Sequence, residues 1–179
     1  MTLIGSRAHG ESTEWSDWDF RVETDDFASL AAALPSLVDP LRPLVTQWDR
    51  LSDEQCYTLM VDGPTKIDFL FHEPHTHELP HTVSAETLPA IDAHFWDWTL
   101  WLTSKVAAGK EDLVRSELEK LSQHLLRPLD VDDVPSSLMD AAHRYVAARD
   151  DHERRLGVRV PRELGTQVVR RIRDQASPG

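Results

Sequence analysis

The hydrophobic period of the sequence changes near Pro89, and this change most constrains the fold. Before it, short apolar runs alternate with polar residues or are bounded by turn residues, which is typical of β-strands. After it, apolar residues recur every three or four positions, which is typical of amphipathic helices. We therefore predict an α/β (α+β) protein in which a small mixed-sheet domain, residues 1–82, precedes an all-helical bundle domain, residues 83–179.

The first part is predicted to contain short strands and one helix. The strands are expected at residues 3–4, 17–22, 44–49, 57–61 and 66–71. The helix is expected to begin after a cap at Asp25 or Asp26 and to end before Pro35, because proline disrupts a helix interior. Residues 72–83 contain four histidines and two prolines, follow neither period, and are interpreted as the connection between the domains.

The second part is predicted to form a bundle of four helices. They are expected at residues 89–106, 111–126, 136–156 and 161–174. Gly109 and Gly157 follow two of these segments, at the position where glycine commonly ends a helix.

The negative charge of the protein is concentrated in its first part. The chain has 19 Lys+Arg against 31 Asp+Glu, a formal net charge of -12, and residues 1–100 contain 18 acidic and 5 basic side chains. A phosphate backbone is bound mainly through basic residues, so we expect no long nucleic acid as a partner.

Cysteine content and hydropathy point to the cytoplasm. Cys56 is the one cysteine and has no partner for an internal disulfide, and the sequence has neither an 18-residue apolar run nor a charged-then-apolar leader. We expect no membrane association. Cys56 is interpreted as a buried or half-buried thiol without a catalytic role.

The segment from Leu3 to Val22 carries the most chemical information. A strand that ends in Gly5–Ser6 presents a backbone that another group can approach closely, together with N–H groups and a hydroxyl that can contact phosphate oxygens. Asp17 and Asp19 then share one face of a strand, about 7 Å apart along the chain. Two carboxylates arranged in this way can share a divalent cation.

Asp68 supplies a third carboxylate within an otherwise apolar strand. A buried ionised group is costly unless it is paired or bound to a metal. Lys66 and Leu70 share its strand face, and if this strand lies beside the one carrying Asp17, three carboxylates converge over one face of the sheet. Phosphoryl and nucleotidyl transfer with two metal ions needs such an arrangement.

Together these residues resemble the signature of the nucleotidyltransferase superfamily, which includes DNA polymerase beta and the antibiotic adenylyltransferases. The resemblance covers residues 3–71 and consists of Gly5–Ser6, a ten-residue gap, Asp17-x-Asp19 and a later strand with Asp68. It implies that Asp17 and Asp19 bind Mg²⁺, while Asp68 binds metal or accepts the proton of an acceptor hydroxyl. It also implies that Gly5 and Ser6 contact the nucleotide phosphates.

The resemblance further implies a reaction. The size, the helical second part and the acidic first part are most similar to aminoglycoside and lincosamide adenylyltransferases. The implied reaction moves AMP from ATP to a hydroxyl of a small, cationic, antibiotic-like acceptor with two Mg²⁺ ions, and Arg7 is implied to add a phosphate contact. Members of the superfamily usually carry a helix ahead of the first strand, and here that strand begins at Thr2 or Leu3.

Two other functions stay open from the sequence. One is transfer of AMP to a protein by an antitoxin-type minimal nucleotidyltransferase, and the other is nucleotide binding by a pseudoenzyme. The helical part lacks the toxin-side pattern of an arginine followed four to six residues later by a histidine, which disfavours the first.

Three further side-chain groups are interpreted as structural. The histidines do not match the spacing of a closed zinc site and are expected to have structural or surface roles; they are His72, His75, His77 and His81. Of these, His72 is the one that a nucleotide cleft would include. The aromatic residues are expected to pack in the core and between the domains, with a wall for stacking an adenine or an aminosugar ring as the alternative; they are Phe95, Trp96, Trp98 and Trp101. The arginines of the third helix are expected to form a solvated face; they are Arg144, Arg149, Arg154 and Arg155.

Overall fold

Five strands form one mixed sheet in the first half of the chain. A computed structural model describes residues 1–14, 16–50, 52–75 and 81–176. The strands are β1 (Thr2–Ile4), β2 (Trp18–Val22), β3 (Val45–Trp48), β4 (Glu54–Val61) and β5 (Thr65–Pro74). Their order is β1-β2-β5-β4-β3, with β2 and β5 parallel and the other neighbours antiparallel. The predicted class, a mixed sheet followed by a helical part, is confirmed.

The chain divides into two compact units, Met1–Glu78 and Leu79–Gly179. The sheet belongs to the first unit, whose described residues also form two α-helices, α1 (Gly5–Ala8) and α2 (Phe27–Val38), and a 3₁₀ turn at Asp39–Leu41. The second unit is helical. Residues 76–80 lie outside the described residues, and so does the role predicted for His77.

One face of the sheet is apolar and packs against α2. Apolar side chains alternate with polar ones along β2 and β5, and because these strands are parallel in register, Phe20 lies opposite Phe69 and Val22 opposite Phe71. The buried residues of this cluster are Leu34, Val38, Tyr57, Leu59 and Phe71. The ring of Phe27 on α2 meets that of Phe71 edge-on, with centroids 5.2 Å apart. The opposite face is thereby left to the polar residues of the same strands.

The helix α2 continues through the proline that was expected to end it. Asp26 caps it, accepting a hydrogen bond from the Ser29 amide at 3.0 Å, as predicted. The predicted end before Pro35 is wrong, because Leu34 and Val38 on either side of the proline are both buried in the core under the sheet. Burial of these two side chains offsets the loss of one helical hydrogen bond.

The strand β5 is longer than the sequence indicated. Its last residues, 72–74, were interpreted as part of the connection, and that interpretation is wrong for them. The reason is non-local. β4 begins at Glu54, earlier than expected, and Glu54 is the register partner of Pro74 on β5. Just beyond the strand, the His75 amide donates to the Asp53 carbonyl at 3.1 Å, which continues the pairing.

Within residues 81–176 the second unit contains four α-helices, as the period predicts. They are α3 (Leu88–Ala107), α4 (Glu111–Leu121), α5 (Leu138–Leu156) and α6 (Glu163–Ala176). The segment expected to be helical up to residue 126 changes its hydrogen bonding after Leu121, into a π-helical turn and then a 3₁₀ turn. Ser137 caps α5 by accepting a hydrogen bond from the Asp140 amide at 3.1 Å, and Gly157 ends it with φ of 69°.

A buried carboxylate on α3 ties this helix to α5. Asp92 Oδ1 accepts hydrogen bonds from the Tyr145 hydroxyl at 2.8 Å, from Trp96 Nε1 at 3.1 Å and from an Arg149 guanidinium nitrogen at 3.3 Å. Arg149 is 4% exposed, so the predicted solvated face is wrong for this residue. Tyr145 and Arg149 lie one turn apart on α5, and both therefore reach the same carboxylate.

Removing the cation from this network should be more damaging than removing the anion. Arg149→Met leaves Asp92 buried without its ion-pair partner, and we expect a loss of about 3 to 5 kcal/mol in the free energy of unfolding. Asp92→Asn should cost less, about 1 to 2 kcal/mol, because Arg149 keeps its ion pair with Asp150 at 3.0 Å. Urea denaturation of both variants measures the difference, and equal losses would contradict the assignment.

The loss in Arg149→Met should also depend on pH. Burial raises the pKa of the Asp92 carboxyl above its ordinary value, while hydrogen bonding by Tyr145 and attraction to Arg149 oppose that rise. Without Arg149 the pKa of the Asp92 carboxyl in the folded state rises further. The folded chain then holds the Asp92 proton more tightly than the unfolded chain does. Stability is then lost as pH rises from the unfolded pKa toward the folded one. Urea denaturation should show a larger loss at about pH 7 than at about pH 4.5; a pH-independent loss would contradict this account.

Candidate functional site

The polar face of the sheet brings two of the predicted carboxylates side by side. Asp19 on β2 is the register partner of Asp68 on β5, and neighbouring residues in a parallel ladder point to the same face. Asp17 directly precedes β2. β2 and β5 are therefore neighbours in the sheet, which is the condition stated above for the acids to lie on one sheet face.

The turn after β1 lies against one of these carboxylates. Ile4 at the end of β1 pairs with Asp19, and the chain then turns at Gly5, with φ of +67°, into α1. A side chain at position 5 would collide with Asp19 Oδ2. Glycine is thus needed here both for its backbone conformation and for space. The Gly5–Ser6 turn and the Asp19 carboxylate are separate in the sequence and lie next to each other in the fold.

Arg7 fastens α1 to the segment that leads into β2. Its guanidinium donates to the Ser16 carbonyl at 2.6 Å and 3.1 Å and to the Asp17 carbonyl at 3.0 Å. The same guanidinium lies 4.2 Å from the centre of the Trp18 ring. These contacts hold the backbone beside Asp17, and the phosphate contact implied for Arg7 stays a prediction.

Asp68 is buried and has partners for both carboxylate oxygens. Its side chain is 12% exposed. Oδ1 accepts a hydrogen bond from the Thr58 hydroxyl at 2.6 Å, and Oδ2 forms an ion pair with Lys66 Nζ at 3.2 Å. Thr58 is the register partner of Asp68 on β4. The free-energy cost of burying the carboxylate is therefore offset by the ion pair with Lys66 on its own strand and the hydrogen bond from Thr58 on the neighbouring strand.

Sequence reasoning assigned no role to Thr58 or to Lys66. The signal for Thr58 was present, since it is a lone polar residue in the apolar run at residues 57–61. Lys66 was recognised as sharing the face of Asp68, but nothing local indicates that the two would pair.

Cys56 lies next to this network and is buried, as expected. It is 4% exposed, and its Sγ lies 3.8 Å from the Thr58 hydroxyl. Burial raises the pKa of the thiol well above its ordinary value, with the nearby Asp68 charge adding to the shift. A thiol held in the protonated form is a poor nucleophile.

The carboxylate oxygens of this face are the ligand type that Mg²⁺ prefers. Asp17, Asp19 and Asp68 would supply hard oxygen ligands, and Gly5 places no side chain of its own beside the Asp19 carboxylate. Within residues 1–14, 16–50, 52–75 and 81–176, no three His, Cys, Asp or Glu side chains are already grouped closely enough to hold a metal ion. The donor type of these carboxylates suits Mg²⁺, and one oxygen of the buried Asp68 is paired with Lys66.

The described histidines of the connecting stretch have separate partners. His72 is exposed and lies 3.7 Å from a Glu54 carboxylate oxygen, and the His75 ring lies 3.1 Å from the Ser52 carbonyl. His81 is buried in the second unit, where its ring meets that of His94 edge-on. His72 therefore has the expected surface role, and His81 has a structural role, since it packs at the start of the helical unit.

The tryptophans of α3 have different surroundings. Trp96 is 1% exposed and donates to Asp92, which confirms a core role. Trp98 donates from Nε1 to Glu117 at 3.2 Å, and the Lys105 ammonium lies 4.9 Å from the centre of the Trp101 ring. These contacts are all within the helical unit.

No helix in the described part of the chain has the length and apolar character needed to cross a membrane.

Comparison with known proteins shows distant structural likeness and no sequence match. No protein-family model matches the sequence, and no curated protein matches it. Among solved structures, an aminoglycoside 6-adenyltransferase from Bacillus subtilis is similar with a TM-score of 0.39 and 10% sequence identity, over 90% of this chain and 89% of that chain. This likeness is too distant to support a function for this chain.

The contact between Gly5 and Asp19 can be tested with a matched pair of glycines. Gly5 and Gly10 both have positive φ, +67° and +72°, but a side chain at Gly10 would meet no atom within 4 Å. Gly10→Ala should therefore cost only backbone strain, about 1 kcal/mol, whereas Gly5→Ala should cost at least about 1 kcal/mol more. Urea denaturation gives both values.

A double-mutant cycle isolates the contact. Combining Gly5→Ala with Asp19→Ala removes the colliding carboxylate, so part of the extra cost should be recovered, with a coupling energy of about 0.5 to 3 kcal/mol. Additive costs would show that the Asp19 carboxylate does not meet position 5.

Proposed function

We propose that this protein is a nucleotidyltransferase that moves a nucleoside monophosphate, AMP from ATP, to a hydroxyl of a small-molecule acceptor such as an aminoglycoside-like antibiotic. The observation that carries the proposal is the parallel register of β2 and β5, which sets Asp19 beside Asp68 while Gly5 lies against the Asp19 carboxylate. A phosphate-binding turn and two carboxylates on one sheet face are the parts that phosphoryl chemistry requires.

Each residue has a distinct task in this proposal. Gly5 and Ser6 would contact the phosphates through backbone N–H groups and the serine hydroxyl. Asp17 and Asp19 would hold Mg²⁺, which when bound neutralises charge on the triphosphate. Asp68 would lie next to the acceptor hydroxyl, or serve as a further ligand, and Thr58 keeps its carboxylate in one orientation through the 2.6 Å hydrogen bond.

The charge of the chain favours a cationic acceptor. Residues 1–100 contain 18 acidic and 5 basic side chains, and an acidic surface attracts cations and repels long polyanions. ATP remains compatible with this surface because it would bind as a complex with a divalent cation. An amine-bearing acceptor is therefore the small-molecule class that we propose.

A nucleotide-binding protein without turnover is the second candidate. The observation that favours it is the ion pair between Lys66 and Asp68, since an Asp68 engaged by an ammonium group is less available to a metal or to a hydroxyl proton. Turnover and binding must therefore be measured separately.

The test combines calorimetry with a turnover assay. ATP should bind more tightly with Mg²⁺ than without it, and a panel of aminoglycosides and other amine-bearing alcohols should include an acceptor that supports pyrophosphate release. Asp19→Asn preserves the shape of the side chain and should lower that release by about 100-fold or more. The matched control is Asp25→Asn, because Asp25 is exposed and lies outside the site.

The outcomes separate the two candidates. Pyrophosphate release that persists in Asp19→Asn would contradict the transferase. Mg²⁺-dependent ATP binding without release on any acceptor would favour the nucleotide-binding protein.

A further inference from the structure

The acidic sheet face contains its own cation. Lys66 precedes Asp68 by two residues on β5, so the two side chains lie on the same face, and Nζ is 3.2 Å from Asp68 Oδ2. The side chains are 11% and 12% exposed. An ion pair this well covered is held in place more firmly than a surface pair, because solvent screens it less.

The register puts this lysine close to the other two acids. β2 and β5 run parallel with Trp18 opposite Ile67 and Asp19 opposite Asp68. Asp17 immediately precedes Trp18, and Lys66 immediately precedes Ile67. Lys66 is therefore the basic position in a patch whose other positions are Asp17, Asp19 and Asp68.

We propose that the Lys66 ammonium takes the place beside Asp68 that a second divalent cation would occupy, so that this face binds one divalent cation per chain. This inference rests on the proposed function and replaces the two-ion expectation with a single ion. Mg²⁺ is commonly held by one or two carboxylates with water completing its shell, so Asp17 and Asp19 suffice for one ion.

Asp68 is closed to a second ion for two reasons. Thr58 donates to Oδ1 and Lys66 pairs with Oδ2, so both oxygens are already engaged. An ion bound directly to Oδ2 would also lie within a few ångströms of a like-charged ammonium group at a poorly solvated position, which is unfavourable. Lys66 thereby sets the number of metal ions and leaves Asp68 oriented by its partners in the protein.

The experiment counts bound Mn²⁺, with Mn²⁺ alone as the probe. Free Mn²⁺ is measured by electron paramagnetic resonance during titration of the full chain, and the ions attributed to this face are those lost in Asp19→Asn. Wild type should bind one such ion. Lys66→Met, which keeps side-chain length without the charge, should bind two, and Lys66→Arg, which keeps the charge, should bind one. Thermal unfolding followed by circular dichroism checks that each variant is folded.

The wild-type count tests the inference even if Lys66→Met does not fold. Two ions in wild type would overturn the inference and leave the proposed function standing. A folded Lys66→Met, or Lys66→Gln as a second neutral variant, that still binds one ion would also overturn it. The absence of any Asp19-dependent ion in wild type would contradict the metal site of the proposed function, and the inference with it.

Discussion

The parallel pairing of β2 with β5 is the contact on which both faces of the sheet depend. These strands are neighbours in the sheet although their register partners, such as Asp19 and Asp68, lie 49 positions apart in sequence. On one face their register stacks aromatic and aliphatic side chains under α2, which buries the core of the first unit. On the other face the same register sets Asp19 beside Asp68. Since side chains alternate strictly along a strand, neither face can shift without disturbing the other.

Both units bury a carboxylate, and each meets the cost in a different way. Asp68 receives a hydroxyl donor from a neighbouring strand and an ammonium from its own strand. Asp92 receives three donors from two helices, one of them a guanidinium. The Asp92 network has a structural role, because its hydrogen bonds join buried residues of α3 and α5. The Asp68 network lies beside Asp19 and the Gly5 turn, and its two charged side chains, Lys66 and Asp68, are 11% and 12% exposed.

The errors of sequence reasoning have a common origin in tertiary contacts. Pro35 and the polar stretch after residue 71 are locally poor for regular structure, yet burial of Leu34 and Val38 continues the helix and pairing with β4 continues the strand. Arg149 has the local pattern of a solvated helix face and is buried because Asp92, on another helix, accepts from it. In each case a partner distant in sequence supplies the free energy that the local pattern lacks.

The sequence by itself determined the change from sheet to helix, most element positions, and the alternation that puts Asp68 and Lys66 on one strand face. These are properties of neighbouring residues, so period and spacing reveal them. Only the tertiary structure decided which strands are adjacent, and hence that Asp19 lies beside Asp68, that Gly5 lies under the Asp19 carboxylate, and that Thr58 donates to Asp68. The physical reason is that strand pairing joins residues far apart in the chain through backbone hydrogen bonds, whose partners the local pattern does not specify.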